Sequence, residues 1–528
     1  MTPRRMTFLA ASVAALAGST ALATAQERGG VMTYGRYQDS LFLDPVLNDA
    51  NVDIWILSNM YDTLLLPTAD GQGVEAGLAT DWSVSEDGLT VTLTLREGIM
   101  FSDGTPITTE DVIWSLDRAR NSDNGIWNFL LAAISEVTAP DDATIEIALS
   151  QPDPAFIPAL SVFNAAIMPK AAFEGMPGET DLEKATAFAE TPIGSGPFTL
   201  ESWDRGSTLK LVRNEHYWAE GADGEPLPYL DGVTFEVIPD DATRILRVQS
   251  GEIDGAELIP FARVGELEAD PNINMELFPS TRVADIILNV RPEIEGAENP
   301  LSDVKVRQAM NYAANKDAII QVVTFGVGTP TSSFMSSTTP LHTGEGAVFP
   351  HDLAQAQALM AESGYPDGFS AEILILAGSQ DELGIATALQ QMWSQIGIDL
   401  TISQVDNATR TEEYRNGTFQ MRAGAWTNDI ADPSQITSYF AYSPTIEALH
   451  SGWMSEEVDE LFEASQSEMD EAARADQFAR IQEIYNMEGP IILLYETPYP
   501  VALQQNVKGF NQIPLGNNIF REAYLETE

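Results

Sequence analysis

The clearest pattern in the chain is a strict alternation of apolar and polar residues between Leu89 and Leu95. Leucine or valine occupies every odd position and threonine every even position, and this period of two is typical of a strand with one buried face. The dipeptide Asp87-Gly88 supplies a turn before the run, and Gly98 follows its end. The pattern therefore predicts a half-buried strand that begins at a tight turn.

A helix is predicted a few residues further on. Thr108 precedes apolar positions at helical spacing, namely Val112, Ile113 and Leu116. The Thr108 hydroxyl can accept a hydrogen bond from the backbone N–H of Asp111, and the Asp111 carboxylate lies near the positive end of the helix dipole. The segment is therefore expected to form a helix that Thr108 caps.

Strand-like and helix-like runs alternate along the rest of the chain. The strand candidates are 209–213, 233–239, 286–290, 373–376 and 400–403. The amphipathic helix candidates are 242–251, 304–314, 353–363, 384–396, 457–467 and 471–487. Alternation of this kind predicts an α/β fold. Because the chain has neither a Gly/Ser-rich linker nor a fixed-period repeat, its domains are expected to lie closely against each other.

The N-terminus has the pattern of a cleavable secretion signal. Arg4 and Arg5 supply positive charge, residues 8–22 are mostly apolar, and Ala23-Thr24-Ala25 has the small residues of a cleavage site. A membrane anchor is the alternative, but the apolar run is short for a span of about 20 residues. No cysteine follows it that could carry a lipid. We expect residues 1–25 to be removed and the chain from Gln26 onward to be a soluble periplasmic monomer.

The composition narrows the possible chemistry. The chain has no cysteine, so it has no disulfide and no thiolate site, and its four histidines lie far apart without metal-ligand spacing. We expect no metal and no cofactor. The 79 acidic and 27 basic residues give a net charge of −52, which repels nucleic acid and anionic lipid. Because the acidic residues are scattered, this charge favours a role in solubility, for example in a saline habitat, over ligand steering.

The chain shows no motif typical of catalysis. It lacks the Gly-x-Ser-x-Gly, Walker and Gly-x-Gly-x-x-Gly motifs. Adjacent acids such as Asp240-Asp241 are unavoidable in so acidic a chain and carry little weight as a glycosidase pair. We therefore predict no catalytic residue, and a secreted acidic hydrolase is the alternative from another class.

The segment 419–440 has the best pattern for ligand binding. An apolar strand over 421–425 leads into a polar loop that begins at Trp426. Asp432 can cap a helix with Pro433 at its first position, so Asp432→Asn is expected to change stability by only roughly a few tenths of a kcal/mol. Asp429 has no such local role. Trp426 is either a core aromatic or part of a pocket, and we favour the pocket because α/β sites lie at strand ends.

Several groups of residues resemble the signature of the family 5 extracellular solute-binding proteins, the receptors of ABC importers for peptides, nickel complexes, opines and some sugars. The longest block is Leu78-Ala79, Trp82, Asp87-Gly88, Leu95-Arg96-Glu97-Gly98, Phe101, Asp103-Gly104 and Glu110-Asp111-Val112. Further matches in family order are Leu43-Asp44-Pro45, Tyr61-Asp62-Thr63-Leu64-Leu65, Gly194-Ser195-Gly196-Pro197-Phe198, Arg213-Asn214, Gln249-Ser250-Gly251-Glu252, Val306-Arg307-Gln308-Ala309 and Asp432-Pro433. Chance matches have no reason to follow this order.

The resemblance implies an α/β periplasmic-binding-protein fold of type II, the large class with an inserted subdomain and a ligand cleft between two lobes. It places lobe I at residues 26–67, 191–280 and 496–528, the inserted subdomain at 68–190, and lobe II at 281–495. It also implies a protein that is not an enzyme, and that captures a solute and delivers it to ABC permease subunits in the inner membrane. A peptide sensor or chaperone with the same fold is a further alternative.

The resemblance also indicates ligand-binding residues. In peptide-binding relatives an aspartate three residues after the tryptophan pairs with the α-ammonium group of the ligand, and Asp429 matches that position. Trp426, Thr427 and Asn428 are expected beside it. Further candidates are Tyr37, Asp39 and Arg422. Arg422 lies one position away from an arginine of some oligopeptide receptors, which favours a structural ion pair for it.

The expected ligand is a short peptide or another amine-bearing solute. The segment 373–383 contains no basic residue where dipeptide receptors carry an arginine for the peptide carboxylate, so strict dipeptide specificity is not expected. An oligosaccharide or an opine is the alternative within the family. Nickel is disfavoured because no histidine lies near the Trp426–Asp429 loop.

Overall fold

The computed structural model describes residues 27–48, 50–344 and 348–527. The predicted signal segment 1–25 and the predicted mature N-terminus at Gln26 lie outside these residues.

One part of the molecule is built on a seven-stranded mixed sheet with the order β12-β21-β11-β1-β10-β9-β8. Its strands are β1 (Val31–Arg36), β8 (Phe198–Asp204), β9 (Thr208–Arg213), β10 (Gly232–Val237), β11 (Gly255–Ala256), β12 (Ile273–Phe278) and β21 (Tyr499–Gln504). Strand β1 runs parallel to β10 and β11, and β21 runs antiparallel to β11 and β12. We call this part lobe I.

A second part is built on a six-stranded mixed sheet with the order β16-β20-β13-β19-β17-β18. Its strands are β13 (Val283–Leu288), β16 (Thr329–Pro330), β17 (Phe369–Leu376), β18 (Ile398–Val405), β19 (Met421–Trp426) and β20 (Ile491–Glu496). Strand β13 pairs antiparallel with both β19 and β20, while β17 runs parallel to β18 and β19. We call this part lobe II.

A four-stranded antiparallel sheet precedes β8 in the chain and has the order β4-β5-β7-β6. Its strands are β4 (Ala79–Val84), β5 (Thr90–Leu95), β6 (Ile134–Asp141) and β7 (Thr144–Leu149). The small two-stranded ladders are β2 (Leu65–Pro67) with β3 (Val74–Ala76), β14 (Glu293–Ile294) with β15 (Ala297–Glu298), β22 (Val507–Lys508) with β25 (Tyr524–Leu525), and β23 (Asn511–Gln512) with β24 (Asn518–Ile519).

Helices cover the sheets. The α-helices are α1 (Asn51–Met60), α2 (Thr109–Asn121), α3 (Phe156–Ala159), α4 (Lys170–Glu174), α5 (Asp181–Phe188), α6 (Asp241–Gln249), α7 (Phe261–Glu268), α8 (Val304–Ala313), α9 (Lys316–Val323), α10 (Leu353–Glu362), α11 (Gln380–Trp393), α12 (Asn407–Asn416), α13 (Ser434–Phe440), α14 (Glu456–Ser465) and α15 (Glu471–Glu488). Short 3₁₀ turns lie at Asn128–Leu131, Phe163–Ala165, Pro300–Ser302, Ser394–Ile396 and Ser443–Ala448.

The predicted elements are confirmed to within a few residues at their ends. The alternating segment forms β5, with Val91 and Leu93 buried. Thr108 caps α2 as expected: its Oγ1 accepts from the Asp111 N–H at 3.3 Å, and Asp111 Oδ2 accepts from the Thr108 N–H at 2.9 Å. The mixture of helices and strands confirms the α/β class.

The four-stranded sheet shares one hydrophobic core with lobe I. Leu93 of β5 and Ile145 of β7 belong to the same buried cluster as Tyr34 and Phe235 of the lobe I sheet. Lobe II has its own cores, because helices α8 to α11 cover one face of its sheet and α13 to α15 cover the other. The inserted segment is therefore packed as an extension of lobe I.

The chain crosses between the two large sheets twice, and both crossings are short. Strand β12 ends at Phe278 and β13 begins at Val283, while β20 ends at Glu496 and β21 begins at Tyr499. The two crossings contact each other, since the Thr497 N–H donates to the Arg282 carbonyl at 3.3 Å. The precise lobe boundaries expected from the sequence stay a prediction.

Candidate ligand-binding site

The loop after β19 is held in shape by the first crossing segment. Thr281 Oγ1 donates to the Asn428 carbonyl and accepts from the Asn428 N–H, each at 2.9 Å. The Asn428 side chain is 1% exposed, and its Nδ2 donates to the carbonyls of Ile430 and Asp432 at 2.7 and 3.0 Å. Asn428 therefore folds the loop back on itself through its side-chain NH₂ group, and ligand contact by its side chain stays a prediction.

Asp429 carries a carboxylate with little local support. Its backbone N–H donates to Gln435 Oε1 at 2.8 Å, and Gln435 Nε2 donates to Asp429 Oδ2 at 3.1 Å. In the described part of the chain no cationic nitrogen lies within 4 Å of the carboxylate, and Oδ1 has no hydrogen bond. Burial raises the pKa of Asp429 to about 6, against the opposing effect of the Gln435 hydrogen bond. The site thus holds a negative charge without a counter-charge.

Two tyrosines, Tyr439 of lobe II and Tyr499 of lobe I, lie near this carboxylate. The Trp426 ring centre lies 4.8 Å from that of Tyr439 and 5.7 Å from that of Phe440. Burial raises the pKa of Tyr439 and of Tyr499, and the charge of Asp429 raises both further. Since Tyr499 is the first residue of β21 in lobe I, the Asp429 loop of lobe II faces lobe I.

Cavities follow the boundary between the lobes. One of about 470 Å³ is lined by Leu258, Phe261 and Tyr499 from lobe I and by Arg282 and Asp381 from lobe II. A second, of about 650 Å³, shares Thr497 and Pro498 of the second crossing with it. Together these spaces form a cleft that both lobes line.

Arg282 is the exposed cation of this cleft. It stands at the end of the first crossing, and its side chain lines the 470 Å³ cavity. No carboxylate of the described residues lies within 4 Å of its guanidinium, although Asp381 is near enough for Arg282 to lower its pKa against the larger effect of burial. The cleft therefore contains a guanidinium that forms no ion pair with the described residues.

The other residues predicted from the sequence have varied surroundings. Thr427 is partly exposed and its hydroxyl makes no hydrogen bond to the described residues. Tyr37 follows β1, its backbone N–H donates to Glu257 Oε1 at 3.3 Å, and burial raises the pKa of its hydroxyl. Asp39 accepts hydrogen bonds from Trp203 Nε1 at 3.0 Å and from the Gly206 N–H at 2.7 Å, both within lobe I. Ligand contact by these residues stays a prediction.

The ion pair expected for Arg422 does not form. No carboxylate oxygen of the described residues lies within 4 Å of it, and its guanidinium carbon instead lies 3.9 Å from the ring centre of Tyr414. Arg422 and Trp426 are four residues apart on β19 and face the same side of the sheet. Arg422 therefore lines a cavity of about 260 Å³ beside Trp426.

Asp432 forms a buried ion pair in addition to its bond to the start of α13. Helix α13 begins at Ser434 with Pro433 as its N-cap residue, so the predicted positions of Asp432 as N-cap and of Pro433 as first helical residue are each wrong by one. Asp432 Oδ1 accepts from the Ser434 N–H at 2.8 Å, and its two oxygens accept from Arg474 Nη1 and Nη2 at 2.7 and 2.9 Å. Asp432→Asn would break this buried ion pair, which no local pattern predicts, so the nearly neutral effect expected from the sequence no longer holds.

Sequence reasoning missed Gln435, Thr281, Tyr439 and Arg282. Thr281 lies 147 residues from Asn428 in the chain, and nothing in the local pattern links them. Gln435 lies only six residues after Asp429, but their contact depends on how the loop turns into α13. Among these four residues only Arg282 has a signal in the sequence, because it is a charged residue directly before an apolar strand.

The site offers no evident place for a metal. Within residues 27–48, 50–344 and 348–527 no group of three or more acidic or histidine side chains is arranged to hold an ion. Among the same residues, no helix has both the length and the apolar character needed to cross a bilayer.

Comparisons with known proteins define the class. A family model described as "Bacterial extracellular solute-binding proteins, family 5 Middle" matches residues 73–447. The chain belongs to this family, as its sequence signature indicated. It is therefore a two-lobed solute-binding protein, of a family that consists of binding proteins and not of enzymes.

Individual relatives extend this result over most of the chain. The dipeptide-binding protein of Escherichia coli (strain K12) is 26% identical over 477 residues, covering 85% of this chain and 86% of the relative. The glutathione-binding protein GsiB of Salmonella typhi is 29% identical over 459 residues, with the same coverage of 85% and 86%. The structure of the periplasmic binding protein DppA from Helicobacter pylori in complex with the peptide STSA superposes with a TM-score of 0.77 at 25% identity, covering 95% of this chain and 99% of that one.

Proposed function

We propose that this protein is the periplasmic substrate-binding component of an ABC importer, and that it captures a short peptide or another amine-bearing solute and delivers it to the permease. The observation that carries the ligand class is the Asp429 carboxylate, which lies close enough to Tyr499 of lobe I to raise its pKa and has no cationic partner among the described residues. The family membership and the names of the relatives, which bind dipeptides and glutathione, support the same class.

A cationic amine suits this carboxylate for a physical reason. A partly buried charge without a partner is costly, so a ligand that brings the opposite charge is held more strongly than a neutral one. Gln435 fixes one oxygen of Asp429 and leaves the other available. The burial of Asp429 strengthens this attraction, because charges interact more strongly where water is excluded.

A peptide also carries a negative end, and Arg282 is the proposed partner for it. The segment 373–383 lacks a basic residue, but the Arg282 guanidinium lines the cavity between the lobes and has no ion pair among the described residues. A guanidinium can bind a carboxylate through two parallel hydrogen bonds. Asp429 and Arg282 would then hold the two charged ends of a zwitterionic ligand.

The experiment compares ligands that differ only in the amine. Native mass spectrometry of the purified protein would first identify any ligand that copurifies. Thermal unfolding would then be followed with Ala-Ala and with N-acetyl-Ala-Ala, which lacks the ammonium group. The free dipeptide should stabilise the protein by about 2.7 kcal/mol at a hundredfold excess over Kd, and the acetylated one should not.

The outcomes separate the alternatives. Equal stabilisation by both dipeptides would mean that the amine anchor is not used. Stabilisation by opines or oligosaccharides alone would replace the peptide by another ligand of the same family. Hydrolysis products of the ligand in molar excess over the protein would favour the alternative of a secreted hydrolase.

A further inference from the structure

A separate cavity in lobe II lies next to the proposed amine site. Its volume is about 260 Å³, and its walls include Asp285 of β13 together with Arg422, Gly424 and Trp426 of β19. Trp426 also packs against Tyr439, whose pKa the charge of Asp429 raises. The Trp426 ring therefore links this cavity to the surroundings of Asp429.

Polar atoms without hydrogen-bond partners surround this cavity. Asp285 is 1% exposed, and both of its carboxylate oxygens are buried without a partner among the described residues. Arg422 Nε and Trp426 Nε1 are likewise buried without an acceptor. Most buried polar groups in proteins are hydrogen-bonded, so several unpaired atoms around one space indicate that a polar partner belongs there.

The strand register explains why these groups converge. In the antiparallel pair of β13 and β19, Asp285 lies opposite Gly424, and the two adjacent pairs on the same face contribute Trp426 and Arg422. Gly424 has no side chain, and a Cβ added there would lie 3.4 Å from Asp285 Oδ1. The glycine therefore keeps the space in front of the carboxylate open.

The cavity is lined by a carboxylate, Asp285, and a guanidinium, Arg422, that do not form an ion pair with each other. No nitrogen of Arg422 lies within 4 Å of an Asp285 oxygen, whereas the neighbouring Glu382 and Arg410 form an ion pair at 3.0 Å. An anionic ligand group would be repelled by Asp285, and a cationic group would be repelled by Arg422. An apolar group would leave the polar atoms unpaired. A neutral group that carries both a donor and an acceptor fits best.

We propose that this cavity is a ligand subsite for a primary carboxamide, such as the side chain of glutamine or asparagine. The amide NH₂ would donate to the Asp285 carboxylate, and the amide oxygen would accept from Arg422 Nε and Trp426 Nε1. This inference rests on the proposed function, because the carboxamide would belong to a ligand whose amine binds Asp429.

The first test uses peptides that differ in one side chain. Binding of Ala-Gln and Gln-Ala would be measured by calorimetry against the analogues with Glu or Met in place of Gln. The measurements are made at pH 8.5, because burial raises the pKa of Asp285 to about 7. We expect the Gln peptide of one order to bind at least tenfold more tightly than both of its analogues.

The variant Asp285→Asn gives the sharpest result. It keeps the shape of the side chain and removes its negative charge, so the cavity becomes cationic through Arg422. The preference should shift toward the Glu peptide by at least tenfold. The double variant Asp285→Leu with Arg422→Met, which makes the cavity apolar, should favour the Met peptide. The matched control is Asp62→Asn, since Asp62 is also buried and its pKa is also raised to about 7, but it lies in lobe I.

The second test does not depend on peptides. The indole N–H signal of Trp426, assigned with Trp426→Phe, would be followed by NMR during titration with acetamide. A saturable shift is expected in the wild type and in Asp62→Asn, and it should be absent in the double variant. Sodium acetate should produce no such shift in the wild type.

The outcomes distinguish this inference from the proposed function. If no peptide binds but acetamide shifts the Trp426 signal, the peptide proposal fails and the subsite stands. If the peptides bind without a Gln preference and acetamide gives no saturable shift, the cavity holds only water and the inference is overturned. A Gln preference that Asp285→Asn leaves unchanged also overturns it.

Discussion

Asp429 and Asp432 lie three residues apart in one loop, yet their surroundings differ completely. Asp432 is 3% exposed and receives three charged or backbone donors, from Arg474 and from Ser434. Asp429 receives a single side-chain donor, from Gln435, and has no cation beside it among the described residues. The loop therefore contains one carboxylate, Asp432, that is neutralised by an ion pair within the protein, and one, Asp429, that has no counter-charge among the described residues.

The difference shows how one loop can be held rigidly and still present a charged group for a ligand. The Asp432–Arg474 pair ties the loop to α15, and Asn428 and Thr281 tie it to the first crossing. A cavity of about 300 Å³ beside this ion pair reaches Pro154 of the inserted segment. With the loop fixed in this way, Asp429 can keep an uncompensated charge in position for a ligand.

The largest effect is expected from breaking the ion pair between Asp432 and Arg474. Asp432→Asn keeps an oxygen for the Ser434 N–H but leaves Arg474 buried without its counter-charge, so the free energy of unfolding should fall by about 3–5 kcal/mol. Chemical denaturation measures this loss. The double variant Asp432→Asn with Arg474→Met should recover much of it. An unchanged midpoint in the single variant would mean that the carboxylate acts only as a cap.

The next effect concerns affinity and not folding. Asp429→Asn should leave the ligand ammonium without its counter-charge and weaken binding by about 2–5 kcal/mol, or roughly thirty- to several-thousandfold. The unfolding midpoint should stay equal or rise, because a costly buried charge is removed. Calorimetry with Ala-Ala or with the copurified ligand tests this. Wild-type affinity in this variant would make a neutral sugar the leading ligand class.

The same carboxylate should make binding depend on pH. Because burial raises the pKa of Asp429 to about 6, acidification protonates it and removes the charge that binds the amine. Affinity should fall about tenfold between pH 7 and pH 5, since the ionised fraction falls by that factor. Asp429→Asn should abolish this slope, and a slope that persists in the variant would assign it to another group.

The effect on the stability of the ligand-free protein has the opposite sign. A raised pKa means that the folded protein binds the Asp429 proton more tightly than the unfolded chain does. The contribution of Asp429 to stability is therefore greatest below its ordinary pKa and is lost as the pH rises through about 6. Comparing the unfolding free energies of the wild type and Asp429→Asn across this range isolates the contribution.

The smallest effect is expected at the residue that orients Asp429. Gln435→Ala removes the two hydrogen bonds that Gln435 makes with Asp429 but keeps the charge itself. Affinity should fall by about 1 kcal/mol, or roughly fivefold. Gln435→Glu is the matched control, because a second carboxylate raises the pKa of Asp429 further and should shift the pH profile upward. A loss equal to that of Asp429→Asn would show that Gln435 contacts the ligand directly.

Much of the fold could be predicted because its signals are local. The alternation before Leu95, the capping box of Thr108 and the amphipathic runs each depend on residues within a few positions of one another. The order of the family motifs then implied two lobes. The prediction for Asp432 missed its ion pair with Arg474, because the two residues are 42 positions apart in the chain. Only the hydrogen bond from the Ser434 N–H to Asp432 is local.

By itself, the sequence determined the elements, the family and the two positions, Trp426 and Asp429, around which a ligand site was expected. Only the tertiary structure decided which charges find partners. Arg474 reaches Asp432, no cation of the described residues reaches Asp429, and Asp285 and Arg422 line one cavity without pairing with each other. The reason is physical: whether a buried charge is compensated depends on strand register and on contacts between distant segments, and these are set by the packing of the whole lobe and not by neighbouring residues.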